Sequence, residues 1–231
     1  MISFVVVPTY NERENAPLMA KAILDDAPDD LRVLFVDDNS PDGTAAAIEE
    51  LIPKYFGKLF ILKREKKEGL GRAYIAGFRR AIELGAQKIV QMDCDFSHDP
   101  KDLPRLLESD ADLTIGSRYV KGGDTPGWPF KRRLISRAGG IFIRVVTGMP
   151  IKDPTGGFKV WKREALEKIE FETVKSAGYS FQLEMNHRAW KNQLKIVELP
   201  IIFRDRTRGT SKINASIAFE SLKIAFRLAF V

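Results

Sequence analysis

Two acidic residues separated by one position follow a short apolar run near the middle of the chain. Asp93 and Asp95 lie in the stretch QMDCDFSHDP at residues 91–100, directly after the run KIV. Such a run predicts a buried strand, so both carboxylates are expected at its carboxyl end, where open α/β sheets bind ligands. Hard oxygen donors without a cluster of His or Cys suit Mg²⁺ or Mn²⁺ on a diphosphate better than zinc.

The same stretch has a simpler interpretation. Asp95 and Ser97 would then belong to a turn and cap the next helix, with no chemical role. A D-x-D pattern is common, so this stretch alone leaves both interpretations open. The strands and helices around this stretch decide between the metal site and the helix cap.

Apolar runs alternate with helical patterns through the first half of the chain. Strands are predicted at residues 2–7, 32–36 and 59–63 and before Asp93, with helices between them, including one to about residue 55. Pro8 is expected to end the first strand. These runs predict an α/β fold with a mostly parallel sheet covered by helices on both faces. Polar clusters follow three strands (PTYNE, VDDNSPDGT and MDCDFSH), and three clusters on one edge favour a nucleotide pocket.

Size, charge and cysteine content limit the classes of protein that fit. The chain has 231 residues, so one large domain or a domain with an appendage is expected. Its net charge of +6 favours an acidic partner: phosphate, nucleic acid or an anionic membrane. Its single cysteine, Cys94, excludes an internal disulfide and a cysteine-rich metal site. The first apolar run is short and lacks a basic leader, which predicts neither a signal peptide nor a membrane span.

The second half of the chain is rich in basic residues. Residues 118–144 contain seven Lys or Arg against one acid, and residues 206–212 (RTRGTSK) predict a basic loop with a glycine hinge. Arg132 and Ser136 are four positions apart on a predicted helix over residues 131–146. They therefore share one face and can both reach an anionic group.

A final helix is predicted over residues 213–231. Ser216, Glu220, Lys223 and Arg227 form one narrow polar stripe on it, and the remaining residues are nearly all apolar. Its charges interrupt it too often for a membrane span. The wide apolar face predicts a helix that lies in the membrane interface or docks on small transmembrane partner subunits, although its first two turns are expected to pack on the domain itself.

The ordered set of motifs resembles a known family. PTYNE, VDDNSPDGT, EGLGRA, MDCDFSHDP, GSRY, DPTGGF, GYSFQLEM and RTRGTSK run from residue 8 to residue 212. Together they resemble the inverting nucleotide-sugar glycosyltransferases of GT-A fold, and within them the dolichol/polyprenol-phosphate mannosyltransferases. The resemblance implies a GT-A catalytic domain over residues 1–212, a GDP-mannose donor, a dolichyl or polyprenyl monophosphate acceptor, and a peripheral position on the cytoplasmic face of a membrane.

The resemblance also assigns roles to individual positions. Asp93, Asp95 and Arg118 match catalytic residues, and a Mg²⁺ or Mn²⁺ ion is expected on Asp95 and Ser97. The acceptor phosphate is expected on Arg118, Arg132 and Ser136. Cys94 occupies a position where the family usually has Ala. The matching donor-binding residues are Pro8, Tyr10, Glu12, Val36, Asp38, Asp93, Cys94, Asp95, Arg206 and Lys212, the last two on a mobile loop expected to close over the donor.

The chemistry of a phosphate acceptor fits this composition. A phosphate monoester has a second pKa of about 6 and is already an anion near pH 7, so cations must position it and no base must activate it. His98 is accordingly expected to support the loop after Asp95 rather than to catalyse. The expected reaction is a single in-line displacement that inverts an α-linked donor.

Two alternatives remain at this point. The same fold could transfer another sugar, for example from UDP-glucose, because no residue of this sequence identifies the sugar by itself. A basic nucleic-acid-binding protein would also explain the charge. However, three acidic clusters at strand ends would repel a polyanion, so no nucleic acid partner is expected.

Overall fold

The structure is a computed structural model that describes residues 1–176, 178–205 and 224–228, with Tyr179 described only through its backbone. The described part of the chain contains one sheet of seven strands in the order β3-β2-β1-β4-β6-β5-β7. The strands are β1 (Ser3–Thr9), β2 (Leu31–Asp37), β3 (Leu59–Lys63), β4 (Lys88–Gln91), β5 (Leu113–Ser117), β6 (Lys159–Lys162) and β7 (Ile196–Pro200). The helices are α1 (Ala16–Leu24), α2 (Thr44–Glu49), α3 (Leu70–Glu83), α4 (Leu103–Leu107), α5 (Phe130–Thr147), α6 (Arg163–Lys168) and α7 (Gly178–Lys191).

One strand runs against the others. β1 is parallel to β2 and β4, β2 is parallel to β3, and β5 is parallel to β7. β6 is antiparallel to both of its neighbours, β4 and β5. The amino end of β6 therefore lies at the edge where the other strands have their carboxyl ends, and this edge collects the loops from both kinds of strand.

Two apolar layers cover the two faces of the sheet. Phe4 and Val6 of β1 pack with α3 and α7 on one face, whereas Val5 and Val7 pack with α1 on the other. Side chains alternate between the faces of a strand, so a strand buried on both sides must be apolar throughout. The predicted mostly parallel sheet with helices on both faces is confirmed.

Two local predictions are wrong for identifiable reasons. Pro8 does not end β1, which continues to Thr9 alongside β2. The pairing with β4 stops at Val6, so the missing N–H of Pro8 leaves no hydrogen bond on that side unmade. The helix expected to about residue 55 ends at Glu49 and continues as turns, because Pro53 cannot donate to a helical carbonyl.

The terminal segment is described only in part. Residues 224–228 are helical, with Ala225 and Leu228 buried in the core and Phe226 exposed. The predicted boundary at residue 212 lies outside the described residues, as do Arg206, Lys212 and most of the predicted final helix. Within the part that is described, no helix has the length and apolar character to cross a membrane.

Helix α3 lies very close to the sheet, and a glycine makes this possible. A β-carbon on Gly77 would lie 2.4 Å from Cγ1 of Val6 and 2.9 Å from Cγ2 of Val36. Because both contacts involve buried strand side chains, neither can move away without disturbing the core. This close packing fixes the position of the first turn of α3 at the edge of the sheet.

We expect Gly77→Ala to destabilise the protein by about 1–3 kcal/mol, since the added methyl overpacks the α3–sheet contact. Gly139→Ala is the matched control, because a β-carbon at that helical position of α5 meets nothing within 4 Å. There, alanine should stabilise the helix by about 0.5–1 kcal/mol. Chemical denaturation measures the free energy of unfolding of both variants, which should fall for Gly77→Ala and rise for Gly139→Ala. Equal changes in the two variants would contradict the packing argument.

Candidate active site

A cavity of about 350 Å³ opens at the carboxyl edge of the sheet. Eight residues predicted for the donor or for catalysis line it: Pro8, Tyr10, Glu12, Asp38, Asp93, Cys94, Asp95 and Arg118. Seven of them follow the end of β1, β2, β4 or β5 and Pro8 is the last residue but one of β1, so the direction of the strands brings together residues that are far apart in sequence. The clustering of polar strand ends at one edge is therefore as the sequence predicts.

The other lining residues had no role assigned from the sequence, except that His98 was expected to support the loop after Asp95. They are Thr9, Lys67, Gly69, Leu70, Ala73, His98, Gly116, Trp128, Thr155, Gly156, Gly157, Gly178, Gln182, Ile201 and Phe203. Many fall within or beside EGLGRA, DPTGGF and GYSFQLEM, so the motifs marked the segments without showing which side chains face the cavity.

Two predicted residues lie elsewhere. The side chain of Val36 is fully buried in the core against α3, so any contact with a donor would have to come from its backbone. Ser97 is also buried and does not line the cavity, although its N–H donates to Oδ1 of Asp95 at 3.1 Å. Metal binding by Ser97 stays a prediction.

The two acids of the D-x-D pattern have different surroundings. The side chain of Asp93 is 37% exposed, and its Oδ1 accepts a hydrogen bond from the hydroxyl of Tyr74 at 3.3 Å. Asp95 is only 7% exposed. The next helical turn is capped by Asp99, which accepts from the N–H of Lys101, so the interpretation of Asp95 and Ser97 as its cap is wrong.

His98 and Cys94 are supporting residues. Nδ1 of His98 accepts the backbone N–H of Asp93 at 3.2 Å, and the ring stacks on Phe158, so this histidine holds the loop in place. Burial, reinforced by Glu12 and the two aspartates, raises the pKa of the Cys94 thiol well above its usual value. The thiol therefore stays protonated and is a poor nucleophile.

Tyr10, Lys67 and Asp38 form a second group among the lining residues. Nζ of Lys67 lies 3.8 Å from the centroid of the Tyr10 ring. The carboxylate of Asp38 pairs with Arg64 at 2.5 Å. Burial raises the pKa of Asp38, while Arg64 opposes that shift. An aromatic face beside a carboxylate can stack on a ring and accept hydrogen bonds from its N–H groups.

Of the three residues predicted for the acceptor phosphate, Arg118 lines the cavity, whereas Arg132 and Ser136 lie beside it on α5 and reach it through Trp128 and Tyr119. The guanidinium carbon of Arg118 lies 5.8 Å from the centroid of the Trp128 ring, and that of Arg132 lies 3.9 Å from it. The hydroxyl of Ser136 is 2.6 Å from that of Tyr119, the residue after Arg118. Trp128 is thus an aromatic wall between the two arginines.

Each arginine already has an acidic partner. Arg118 donates to both oxygens of the fully buried Asp153, at 2.8 and 2.6 Å. Arg132 donates to both oxygens of Asp205, at 2.8 and 3.0 Å. The Asp153 pair fixes Arg118 rigidly, whereas the Arg132 pair is partly exposed and therefore easier to exchange for another anion.

Comparison with known proteins agrees with this arrangement. A family model described as glycosyl transferase family 2 matches residues 4–170. A polyprenol monophosphomannose synthase from Mycolicibacterium smegmatis is 42% identical over 223 residues, covering 95% of this chain and 84% of that protein. The chain is a family 2 glycosyltransferase.

Two further relatives of the glycosyltransferase have related names. An undecaprenyl-phosphate mannosyltransferase from Micrococcus luteus is 42% identical over 94% of this chain and 89% of that protein. A dolichol-phosphate mannosyltransferase from Pyrococcus furiosus is 38% identical over 97% of this chain but only 62% of that protein, so the chain spans less than two thirds of its length. The resemblance to polyprenol-phosphate mannosyltransferases is confirmed.

Solved structures confirm the GT-A fold of the glycosyltransferase. Glucosyl-3-phosphoglycerate synthase from Mycobacterium tuberculosis, with Mn²⁺, UDP-glucose and phosphoglyceric acid, gives a TM-score of 0.72 at 17% identity over 100% of this chain and 80% of that chain. The same enzyme with Mg²⁺ and UDP gives a TM-score of 0.69. At this identity the likeness concerns the fold alone.

The carboxylates of the glycosyltransferase fit a divalent ion shared with a substrate. Among the described residues, no group of three or more His, Cys, Asp or Glu could hold a metal alone. Asp93 and Asp95 nevertheless supply hard oxygen donors at the cavity wall. Mg²⁺ typically takes one or two carboxylates and completes its shell with substrate phosphates and water, so this donor set suits it.

A buried lysine lies beneath the cavity of the glycosyltransferase. Lys159 is fully buried on β6, and its Nζ donates to the backbone oxygen and to Oε1 of Gln182, at 3.2 and 2.7 Å. Burial lowers the pKa of Lys159 well below its ordinary value, with Asp153 opposing the shift. The folded protein therefore binds this proton more weakly than the unfolded chain does.

This difference makes stability depend on pH. Below the unfolded pKa of about 10.4 the unfolded chain holds more protons, so the Lys159 contribution to folding stability rises with pH between its lowered folded pKa and about 10.4. We expect the wild type to gain stability relative to Lys159→Met as the pH is raised toward 10. Urea denaturation at several pH values measures this difference.

Lys162 on the same strand is the control. A hydrogen bond to Asp110 raises its pKa, so its contribution is present at lower pH and declines as the pH rises through that raised value. The Lys162→Met comparison should therefore stay flat up to about pH 10 and fall only above it. Parallel slopes for the two variants would contradict the account of Lys159.

Proposed function

We propose that the protein transfers mannose from GDP-mannose to dolichyl or polyprenyl monophosphate, with inversion to a β-linked lipid phosphate mannose. The observation that carries this proposal is one cavity lined both by the D-x-D carboxylate pair and by Arg118 and Trp128, with Arg132 packed on the Trp128 ring. The first feature suits a sugar nucleotide, and the second suits an anionic acceptor. The names of the relatives support mannose as the sugar and a polyprenyl phosphate as the acceptor.

The donor would lie along the sheet edge. Tyr10 would stack on the guanine through the ring face that Lys67 does not cover, while Asp38 would accept from the N–H groups of the base. The first turn of α3, beginning at Gly69, lines the cavity and offers unpaired backbone N–H groups to the diphosphate. Asp93 and Asp95 would hold a Mg²⁺ or Mn²⁺ ion, whose charge when bound offsets that of the leaving diphosphate. Family resemblance adds Arg206 and Lys212 as cations closing over the donor.

The acceptor phosphate would replace Asp205 on Arg132. Arg118, held by Asp153, and Ser136, held by Tyr119, complete a site that orients the phosphate oxygen toward the sugar. That oxygen forms the new bond to the anomeric carbon as the bond to the diphosphate breaks, and the leaving group takes the electron pair. No base is required, because the nucleophile is already an anion.

A comparison of donors tests this function. GDP-mannose with a polyprenyl phosphate should give product in Mn²⁺ or Mg²⁺, and UDP-glucose should give far less. Asp95→Asn should reduce transfer by at least about 100-fold, since a charge-assisted contact to the donor complex is lost. Turnover of radiolabelled donor into lipid phosphate sugar is the measurement.

Asp99→Asn is the matched control, because it removes one negative charge nearby but keeps the cap oxygen. It should retain nearly full activity. Preferential use of UDP-glucose would replace the proposed sugar with the alternative one. Full activity of Asp95→Asn would show that the carboxylate pair is not part of the donor site.

The lipid acceptor implies contact with a membrane, and α5 offers a surface for it. Phe130, Leu134, Ile141 and Val145 are exposed and spaced four, seven and four positions apart, so they form one apolar stripe along the helix. Lys131 and Arg137 beside it are also exposed. An apolar stripe flanked by basic residues suits the interface of an anionic bilayer. We therefore place the protein peripherally, on the cytoplasmic face of a membrane.

We expect Val145→Glu to weaken binding to vesicles containing an anionic lipid by about tenfold, since it puts a charge in the apolar stripe. Phe56→Glu is the control: Phe56 is 88% exposed but lies in the turns after α2. Vesicle sedimentation measures both variants. Equal loss for the two would mean that charge alone weakens binding, and no loss for Val145→Glu would remove α5 from the interface.

A further inference from the structure

The side chain of Gln182 reaches the cavity wall from the first turns of α7. It is only 2% exposed, and it belongs to a buried polar network with Gln91, Lys159 and Trp161. None of these residues has a part in the function proposed above. The network matters because it determines which end of the Gln182 amide faces the cavity.

The orientation follows from a chain of hydrogen bonds that starts at Trp161. An indole N–H can only donate, and that of Trp161 donates to Oε1 of Gln91 at 2.7 Å. The Nε2 of Gln91 is therefore turned toward Gln182 and donates to its Oε1 at 3.2 Å. Lys159 donates to the same Oε1 at 2.7 Å. With its oxygen fixed by two donors, Gln182 must direct its Nε2 away from the network.

The glycine floor of the cavity shows where this nitrogen lies. A β-carbon on Gly157 would be 3.3 Å from Cε1 of His98, 3.6 Å from Oδ2 of Asp93 and 3.8 Å from Nε2 of Gln182. The carboxylate oxygen and the amide nitrogen therefore flank one small space beside the His98 ring, which stays open because residue 157 has no side chain. Among the described residues, no hydrogen-bond acceptor is recorded for this Nε2.

The hydrogen-bonding properties of Nε2 of Gln182 and of the Asp93 carboxylate indicate which ligand group fits between them. The amide nitrogen can only donate a hydrogen bond, and an ionised carboxylate can only accept one. A hydroxyl group does both, whereas the diphosphate oxygens can only accept and would meet Asp93 solely through a bound cation, and a prenyl chain would leave both groups unpaired. Neighbouring hydroxyls of a sugar match this arrangement.

We propose that Gln182 determines sugar specificity by donating a hydrogen bond from Nε2 to a hydroxyl oxygen of the transferred sugar. Gln91, Lys159 and Trp161 are positioning residues that keep this nitrogen turned to the sugar. The inference rests on the proposed function, because it identifies how the sugar of the nucleotide donor is recognised. In the proposed function Tyr10 and Asp38 contact the base of the nucleotide, so a substitution of Gln182 should affect only the binding of the sugar.

Gln182→Glu tests this, because it replaces the donor with an acceptor of nearly the same shape. We expect the affinity for GDP-mannose, measured by calorimetry in Mn²⁺, to fall about tenfold or more, with the affinity for GDP unchanged. Gln87→Glu, the same change at an exposed position, should alter neither affinity. An equal loss for GDP and GDP-mannose, or no loss for either, would overturn the proposal.

Gln91→Glu tests the positioning role without lining the cavity. A carboxylate there accepts from Trp161 with one oxygen and turns the other toward Gln182, where it repels Oε1 and draws Nε2 into the network against the Lys159 contact, which can move to the new carboxylate. The same selective loss for GDP-mannose is expected. Gln91→Met leaves Lys159 holding Oε1 and should have a smaller effect. Equal losses of GDP-mannose affinity in Gln91→Glu and Gln91→Met would overturn the positioning role of Gln91.

Failure of the proposed function would give a different result in the affinity measurements. If the wild type gains no affinity from the mannose of GDP-mannose over GDP, then the donor assignment is wrong. The comparison is then made with UDP-glucose against UDP. If Gln182→Glu lowers the affinity for UDP-glucose but not that for UDP, the role of Gln182 is still supported. If it lowers neither affinity or both equally, the proposed role of Gln182 is wrong.

Discussion

The direction of the strands places the carboxylates, Arg118 and the floor of this site. Parallel strands bring the ends of β1, β2, β4 and β5 to one edge, and with them the carboxylates and Arg118. The reversed strand β6 adds what a purely parallel sheet could not, because its amino end delivers Asp153 and the glycine floor to the same edge. Lys159, the first residue of β6, follows directly below. A single antiparallel strand therefore links the acceptor arginine, the cavity floor and the buried network.

The parts of the site that depend on local pattern could be predicted from the sequence. The end of an apolar run fixed the place of Asp93 and Asp95, and the spacing of Arg132 and Ser136 fixed a shared helix face. Val36 shows the limit of such reasoning. Its neighbour Asp37 ends the strand, but alternation turns Val36 into the core, and a motif match does not indicate that direction.

Contacts between distant segments could not be predicted. Gln91, Lys159 and Gln182 meet only because β4, β6 and α7 pack together, and no local pattern marks a lysine that will be buried. The partners of Arg118 and Arg132 are likewise acids from other loops. On α5 the basic residues were evident, but which apolar residues stay exposed depends on the side of the helix that the sheet covers.

The apolar stripe of α5 begins at Phe130, two residues after Trp128 at the cavity mouth. A helix resting in the bilayer surface would hold that mouth at the depth of the lipid head groups. A polyprenyl phosphate could then arrive by lateral diffusion, with its chain still among the other lipids. The reaction rate would follow the surface density of the acceptor in the membrane rather than its amount per volume of solution.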